Sequence, residues 1–216
     1  MDIENSEAFL VVGQSSNIKP SIAKFDIQGA FQADSNVAQN NWVPGLATDA
    51  DDNIYLGTGD GQVIKLDKNL NTIWKFTGHN NDVLSVAVDT SGNVYSGSND
   101  NTVRKIDPNG NQLWVFSGHS SWVSSVAVDT VGNVYSGSSD NTVRKIDPNG
   151  NQIWAFTGHS NRVLSVAVDT SGNVYSGSRD NTVRKIDPNG NQIWVFTEHS
   201  STVRSVAVDT SGNVYS

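Results

Sequence analysis

Histidine, aspartate and serine recur in this chain at a fixed spacing, and together these residue types can do chemistry. The three pairs are His79 with Asp100, His119 with Asp140, and His159 with Asp180. With a nearby serine, such as Ser96 or Ser98 in the first copy, such a pair could supply a nucleophile and its general base. Catalytic groups are usually present once per domain, however, whereas this set returns in copy after copy. Recurrence therefore indicates a structural role, and we predict no catalytic residues.

The recurring set belongs to a unit of about forty residues that the chain copies almost unchanged. Residues 81–120, 121–160 and 161–200 are nearly identical, and a fourth copy begins at Ser201 and runs as far as SGNVYS. Self-similarity at a fixed period of this size is the sequence signature of a repeat architecture.

Each unit divides into four short strand signals separated by turn signals. In the first copy the strands are predicted over residues 83–88, 94–98, 102–106 and 112–116. The intervening DTSGN and DPNGN segments supply an aspartate that can bond the backbone ahead of it and a glycine for a left-handed position. No segment shows helical periodicity. The pattern predicts an all-β chain, a β-propeller of four-stranded antiparallel blades.

The divergent N-terminal part extends the blade count. Residues 42–79 align with the clean copies, and three further strands are expected at residues 8–13, 21–26 and 30–37. We predict a single propeller domain with material for about five blades. Its units are a divergent partial blade at 1–41, a divergent blade at 42–80, three near-identical blades at 81–200, and a closing or truncated blade at 201–216.

The two ends of the chain leave alternatives open. A first strand at Val203–Val208 could complete the N-terminal blade, which would remove exposed sheet edges. Residues 213–216, however, begin a second strand that the N-terminal blade already has. Either this tail is redundant, or the blades are part of a longer array.

The segment GHNNDVLSVAVDTSGNVYSGSNDNTVRKID resembles the WD-repeat family. Its glycine–histidine pair, its SGS-x-D turn and the threonine that opens the third strand fall at that family's spacing. The stretch KIDPNGNQLW instead resembles the quinoprotein-type propeller repeat, in which a fourth-strand tryptophan docks against the neighbouring blade. The terminal dipeptide of a WD repeat is Ile106–Asp107 here, so the usual indole donor is missing. Both resemblances imply the fold and say little about function, since propellers host many activities.

The WD-repeat resemblance implies that each histidine–aspartate pair is a buried brace joining two loops of one blade. Three complete braces are expected, at the three pairs named above. The divergent blade keeps Asp60 but has no glycine–histidine pair before it, and His199 has no aspartate partner in the sequence.

Composition excludes several classes of function. The net charge of −8 and pI near 4.7 argue against binding to nucleic acid or to an acidic membrane surface. Cysteine is absent, and the DTSGN and DPNGN segments lack the bidentate glutamate of a calcium loop, so we predict no metal and no cofactor. The N-terminus has neither a basic region nor a long apolar stretch. We expect a soluble protein, cytoplasmic or part of a virion, with no signal peptide and no membrane insertion.

The positions that vary among the near-identical units are the best candidates for partner binding. They concentrate in the loop that leads into the first strand and in the tight turn after the second strand, and these two loop types share one face of a propeller. A further varied position, that of Arg204, is the second residue of the predicted first strand. The candidates are Asp82, Asn99, Trp122, Arg162, Arg179 and Arg204. An exposed tryptophan flanked by arginines has the composition of an interaction hot spot. The alternative is recent duplication followed by drift.

These observations favour a non-catalytic binding or scaffold module that engages a protein or glycan partner through its variable face. Near-identical hybrid repeats resemble those of bacterial and phage propellers, so a virion or adhesion component is the expected setting. A homo-oligomer or a larger assembly is possible. The alternative is a pore-centred enzyme of quinoprotein or lyase type, which the lack of cysteine and of a unique carboxylate cluster disfavours.

Overall fold

The computed structural model describes three strands in the N-terminal part and all of residues 42–216. The N-terminal sheet consists of β1 (Glu7–Val12), β2 (Ser21–Asp26) and β3 (Phe31–Ser35). These match the predicted strands, except that residues 13, 30, 36 and 37 of the prediction lie outside the described residues. The described residues contain no helix, and so none that could cross a membrane.

Four complete blades follow, each a four-stranded antiparallel meander. Blade 1 contains β4 (Gly45–Thr48), β5 (Ile54–Gly57), β6 (Val63–Leu66) and β7 (Thr72–Phe76). Blade 2 contains β8 (Val83–Val88), β9 (Val94–Ser98), β10 (Val103–Ile106) and β11 (Gln112–Phe116). Blade 3 contains β12 (Val123–Val128), β13 (Val134–Ser138), β14 (Val143–Ile146) and β15 (Gln152–Phe156). Blade 4 contains β16 (Val163–Val168), β17 (Val174–Ser178), β18 (Val183–Ile186) and β19 (Gln192–Phe196).

A short C-terminal pair completes the described structure, formed by β20 (Ala207–Val208) and β21 (Val214–Tyr215). The all-β prediction, with blades of four antiparallel strands, is confirmed.

The first strands of successive blades lie side by side, from β4 through β8, β12 and β16 to β20. A serine side chain links neighbouring first strands, since the amide of Val126 donates to Ser85 Oγ at 3.1 Å and that of Val166 to Ser125 Oγ at 3.1 Å. These strands line an open groove of about 480 Å³ with alanine, valine and one threonine side chain. The first strands are therefore the inner strands of the array.

The turn between the third and fourth strands follows from its sequence. In blade 2 the Asp107 carboxylate accepts hydrogen bonds from the amides of Asn109 and Asn111 at 2.9 and 2.8 Å. Gly110 has a φ of +91°, and the strand register shifts between Lys105 and Ile106. This is the turn with a bulge that DPNGN predicts.

The hydrophobic core lies between neighbouring blades. Between blades 2 and 3 one cluster of buried residues comprises Tyr95, Val103, Phe116, Val123, Val126, Val134 and Ile146. Equivalent clusters lie between blades 1 and 2 and between blades 3 and 4. Each sheet therefore buries its apolar face against the next unit, which is why the unit must be repeated.

A fourth-strand tryptophan ties each of blades 1, 2 and 3 to the blade that follows it. The indole of Trp114 donates to the Pro148 carbonyl oxygen at 3.0 Å, and its ring packs on Gly150, whose φ is +92°. A Cβ on Gly150 would lie 3.0 Å from Trp114 Cγ. Glycine therefore meets two demands here, a left-handed backbone and a close approach. The same hydrogen bond joins Trp74 to Pro108 and Trp154 to Pro188.

The C-terminal pair differs from what the sequence predicts. The first strand expected over residues 203–208 is regular only at Ala207–Val208, because these two residues pair with Tyr215 and Val214. In the described pairings β20 is joined to β21 as a first strand is joined to a second, and no completion of the N-terminal blade is among them. The division into units at the two ends stays a prediction.

The tryptophan–glycine contact makes a prediction about stability. Alanine at Gly92 (φ +79°) or at Gly150 (φ +92°) should each cost about 1–2 kcal/mol of unfolding free energy for the left-handed backbone. At Gly92 the new carbon meets Pro108 Cγ at an ordinary 3.5 Å, whereas at Gly150 it presses on Trp114. Gly150→Ala should therefore cost about 1–3 kcal/mol more than Gly92→Ala in urea unfolding. Equal losses would show that the tryptophan contact is not tight.

Candidate functional site

The predicted histidine–aspartate pairs lie in direct contact. In blade 2 the His79 Nδ1 is 2.8 Å from Asp100 Oδ2, and its Nε2 is 2.7 Å from Ser96 Oγ. Since an ionised carboxylate can only accept, Nδ1 donates to Asp100, and Nε2 then accepts the serine hydroxyl hydrogen. His79 precedes β8 and Asp100 follows β9, so this brace joins the two loops at one end of the blade.

Asp100 is the most heavily bonded member of the brace. Its carboxylate accepts from the Thr102 hydroxyl at 2.6 Å and from the Thr102 amide at 3.0 Å, and the Arg104 guanidinium lies 3.7 Å away. Burial alone would raise the pKa of Asp100, but the hydrogen bonds from His79 and Thr102 outweigh it. The pKa therefore lies well below its usual value of 3.8, and the group is held ionised.

The same geometry is present in blades 3 and 4. The histidine–aspartate distance is 2.8 Å in both, between His119 and Asp140 and between His159 and Asp180. The corresponding serines are Ser136 and Ser176. His199, which precedes the C-terminal pair, contacts Ser216 Oγ at 2.8 Å.

The order serine, histidine, aspartate is that of a catalytic triad, but its surroundings are not. Ser96 is fully buried and His79 is 5% exposed, so the Ser96 hydroxyl is not accessible to a substrate. Ser136 and Ser176 are equally buried. The three side chains can hold two loops together through hydrogen bonds, but a substrate cannot reach them.

Blade 1 has apolar side chains where the others have the brace. Leu56 and Ile64 occupy the positions of the brace serine and of the third-strand arginine, and both are buried. Asp60, which keeps the aspartate position, is instead bonded to Thr58 and Gln62. The loss of the histidine is thus accompanied by the replacement of its polar neighbours, as burial of unpaired polar groups would be costly.

The two variable loop types lie on one face, as the sequence predicts. Within blade 2 the amide of Asn99 in the tight turn donates to the Asp82 carbonyl in the lead-in loop at 2.8 Å. The side chains of these two residues also meet, at 3.2 Å. Equivalent backbone bonds of 2.8 and 2.9 Å join Ser139 to Trp122 and Arg179 to Arg162.

Four of the candidate residues form a continuous band across blades 3 and 4 and the C-terminal pair. We call this band the Trp122 arc: Trp122, Arg162, Arg179 and Arg204. The guanidinium of Arg162 lies 5.3 Å from the centroid of the Trp122 ring, so the contact crosses from one blade to the next. The amide of Val203 donates to the Ser178 carbonyl at 3.0 Å, which places the backbone of Arg204 beside that of Arg179. Asp82 and Asn99 lie one blade away.

The opposite face holds contacts that the sequence did not reveal. The Tyr95 hydroxyl donates to Asp89 Oδ2 at 2.8 Å. The Lys105 Nζ lies 5.4 Å from the Tyr95 ring centroid and 3.3 Å from the Pro148 carbonyl of the next blade. Tyrosine and lysine recur at fixed places in the units, and this recurrence could have marked them as structural. The partner of Tyr95 is only six residues away, whereas Lys105 reaches a carbonyl 43 residues away, which the sequence alone does not identify.

The same face has a cavity between blades 1 and 2, with a volume of about 430 Å³. Asp49 and Asp89 line it, and both carboxylates are already bonded to their own turns and to a tyrosine hydroxyl. The described residues contain no group of three histidine, aspartate or glutamate side chains that could hold a metal ion.

Four-stranded blades with an inter-blade tryptophan define a β-propeller repeat protein, and comparison with known proteins supports this class. The family model described as outer membrane protein assembly factor BamB matches residues 19–154 and 99–215, so the chain belongs to that family. No curated protein matches the chain. A chain from the "Crystal Structure of Mitotic Checkpoint Complex" aligns with a TM-score of 0.78 and 20% identity, covering 88% of this chain and 64% of that one. At this identity the likeness shows the fold alone.

The brace makes a prediction with a matched control in blade 1. Asp140→Ala leaves His119 and Thr142 without their acceptor, which should cost about 1–3 kcal/mol of unfolding free energy. Asp60→Ala removes the aligned carboxylate from a blade that has no histidine partner, so it should cost less. Urea unfolding of both variants measures the difference. An unchanged stability in Asp140→Ala would show that the brace holds nothing together.

Acid should weaken the fold in two steps. Burial lowers the pKa of His79 and His159 below 6.5. Near and below this pH the unfolded chain therefore binds protons at these histidines more readily than the folded chain does. Stability should therefore fall as pH drops below about 6.5. The pKa of Asp180 is lowered from 3.8 to about 2, so its stabilisation is lost as pH falls from about 4 towards 2. Urea unfolding at several pH values checks this, and a flat profile between about pH 7 and pH 5 would contradict the histidine step.

Proposed function

We propose that this protein is a non-catalytic binding or scaffold module that engages a protein partner through the face bearing the lead-in loops and tight turns. The observation that carries the proposal is the contrast between positions. The residues that build the braces, the DPNGN turns and the tryptophan contacts are the same in blades 2, 3 and 4, and the DTSGN turn of the opposite face changes only at Val131. The residues on one face differ from blade to blade and include a tryptophan that is 45% exposed.

The chemistry of the variable residues supports this reading. Tryptophan and arginine are the residue types most enriched where binding energy concentrates in interfaces. Trp122 stacks with Arg162 of the next blade, so the ring is held in position before a partner arrives. Drift in an unused surface would not be expected to place an aromatic side chain and an arginine against each other across a blade boundary.

The family comparison supports a protein partner. The family takes its description from an assembly factor. The braces resemble those of WD repeats, and the inter-blade tryptophan resembles that of quinoprotein-type repeats. We propose that the blades combine both types.

The absence of catalysis is also part of the proposal. It is supported by the burial of the triad-like serines and by the groove between the first strands, which is lined by alanine and valine and one threonine. No observation on the described residues favours the alternative of a pore-centred enzyme. A glycan partner, a homo-oligomer and a place in a virion or adhesion structure stay predictions.

The test compares one substitution on each face. Ligands are first selected on the purified protein from a displayed library of random peptides. Trp122→Ala should then weaken their binding about thirtyfold or more, since an interface anchor contributes about 2 kcal/mol. The variant should fold, because aspartate and arginine occupy the same position in the neighbouring blades. Asn149→Ala, in the invariant turn of the opposite face, should leave affinity unchanged.

Two results would contradict the proposed binding role. A loss of affinity in Asn149→Ala with none in Trp122→Ala would move the binding site to the opposite face. If the library gave no ligand that depends on the folded protein, the binding role itself would be wrong.

A further inference from the structure

We infer that the Trp122 arc binds an acidic, extended segment of a partner protein, with the arginines pairing with its carboxylates and Trp122 packing on an apolar side chain. This inference rests on the proposed function and names the chemistry of the partner.

The arginines of the chain fall into two sets of three. One set repeats on the third strand as Arg104, Arg144 and Arg184. Each of these donates to a glutamine of the fourth strand at 2.6 or 2.7 Å and lies within 4.0 Å of the brace aspartate. The positive charges of these three arginines are therefore paired with the brace aspartate of their own blade. The other set is the three arginines of the Trp122 arc.

The arginines of the arc have no carboxylate partner among the described residues. All the ion pairs there join an aspartate of a brace to its own histidine or third-strand arginine. Arg179 and Arg204 are exposed. In a chain with a net charge of −8 this leaves a local band of unpaired positive charge, which is complementary to an acidic ligand.

The band is also specific to one part of the face. At the position of Arg179 the other two units have Asn99 and Ser139, and at the position of Arg204 the three earlier units have leucine or serine. At these varied positions arginine thus occurs only in blade 4 and in the unit that follows it. An arginine needed for folding would recur at the same position in every unit.

The shape of the arc favours an extended ligand. Its members follow one another through a ring stacking contact and two backbone hydrogen bonds, across three successive units. A guanidinium presents a planar fork of donors that matches a carboxylate, and an aromatic ring beside it anchors an apolar side chain. A segment of a few residues with separated carboxylates would meet these groups in turn.

A peptide fits this site better than a nucleic acid does. Binding to a phosphate backbone draws on many cations in a row, whereas the arc has three. Carboxylates also flank it, since Asp82 lies one blade away and Glu198 lies in the loop before Arg204. These would repel a continuous polyanion but leave room for a short acidic segment.

The test uses an array of peptides of about twelve residues each, in which each peptide is present in two forms. The acidic form has aspartate and glutamate, and the amide form has asparagine and glutamine at the same positions. We expect binding to the acidic forms, at least about tenfold weaker binding to the amide forms, and a loss of affinity as ionic strength rises from about 50 to about 500 mM. The double variant Arg179→Gln/Arg204→Gln should lose at least about tenfold in affinity for the same peptides. Lys75→Gln, which removes an exposed charge from the outer strand of blade 1, should change nothing.

Three outcomes would overturn the inference, and they separate it from the proposed function. If the peptides bound need Trp122 but are indifferent to both the amide replacement and the arginine variants, the face binds proteins and the acidic partner is wrong. If binding depends on neither Trp122 nor the arginines, both proposals fail. If single-stranded DNA competes with the acidic peptides and loses affinity in the same arginine variants, the arc is a general anion patch.

Discussion

No blade of this protein can bury its apolar face alone, and the rest of the structure depends on that constraint. Tyr95 and Phe116 of blade 2 are buried by the valines of blade 3, and the same cluster recurs on either side. The Trp114 indole and the Lys105 ammonium converge on one carbonyl oxygen, that of Pro148 in the following blade. Each unit must therefore present the same surface to the next, which explains why substitutions are so few between blades 2, 3 and 4.

This constraint separates the residues of a unit into two groups. Residues that face the next blade or build a brace are fixed, because a change in one unit would leave a cavity or an unpaired polar group at a boundary. The remaining residues of the lead-in loop and tight turn, at the positions of Asp82 and Asn99, contribute mainly backbone hydrogen bonds to the blade, so their side chains are free to differ. A repeat that is rigid in its core can thus vary one face unit by unit.

The sequence predicted what is local or periodic. The forty-residue period, the DPNGN turn and the histidine–aspartate spacing are enough to place the strands, the bulge and the loops that share a face. The sequence could not predict that Ser96 completes the brace, since Ser96 and Ser98 lie two residues apart on one strand. In the structure Ser96 contacts His79, whereas the Ser98 hydroxyl donates to the Asn81 carbonyl. It also could not predict the stacking of Arg162 on Trp122, which depends on how two blades sit beside each other. The strand at β20 is shorter than expected, because its regular part extends only as far as its partner does.

The central claim is that the fixed residues stabilise the array and the varied residues do not. It is tested most directly by giving blades 3 and 4 the loop residues of blade 2, through Trp122→Asp, Ser139→Asn, Arg162→Asp and Arg179→Asn. The measurement is the free energy of unfolding in urea, compared with the parent chain. Trp122 and Arg179 are exposed, Ser139 and Arg162 are half-buried, and none of the four belongs to a core cluster or a brace. Surface substitutions of this kind change stability by about 0.5 kcal/mol or less each, so the total should stay within about 2 kcal/mol. A loss well beyond that would show that the varied residues hold the blades together, and the division between the two groups would be wrong.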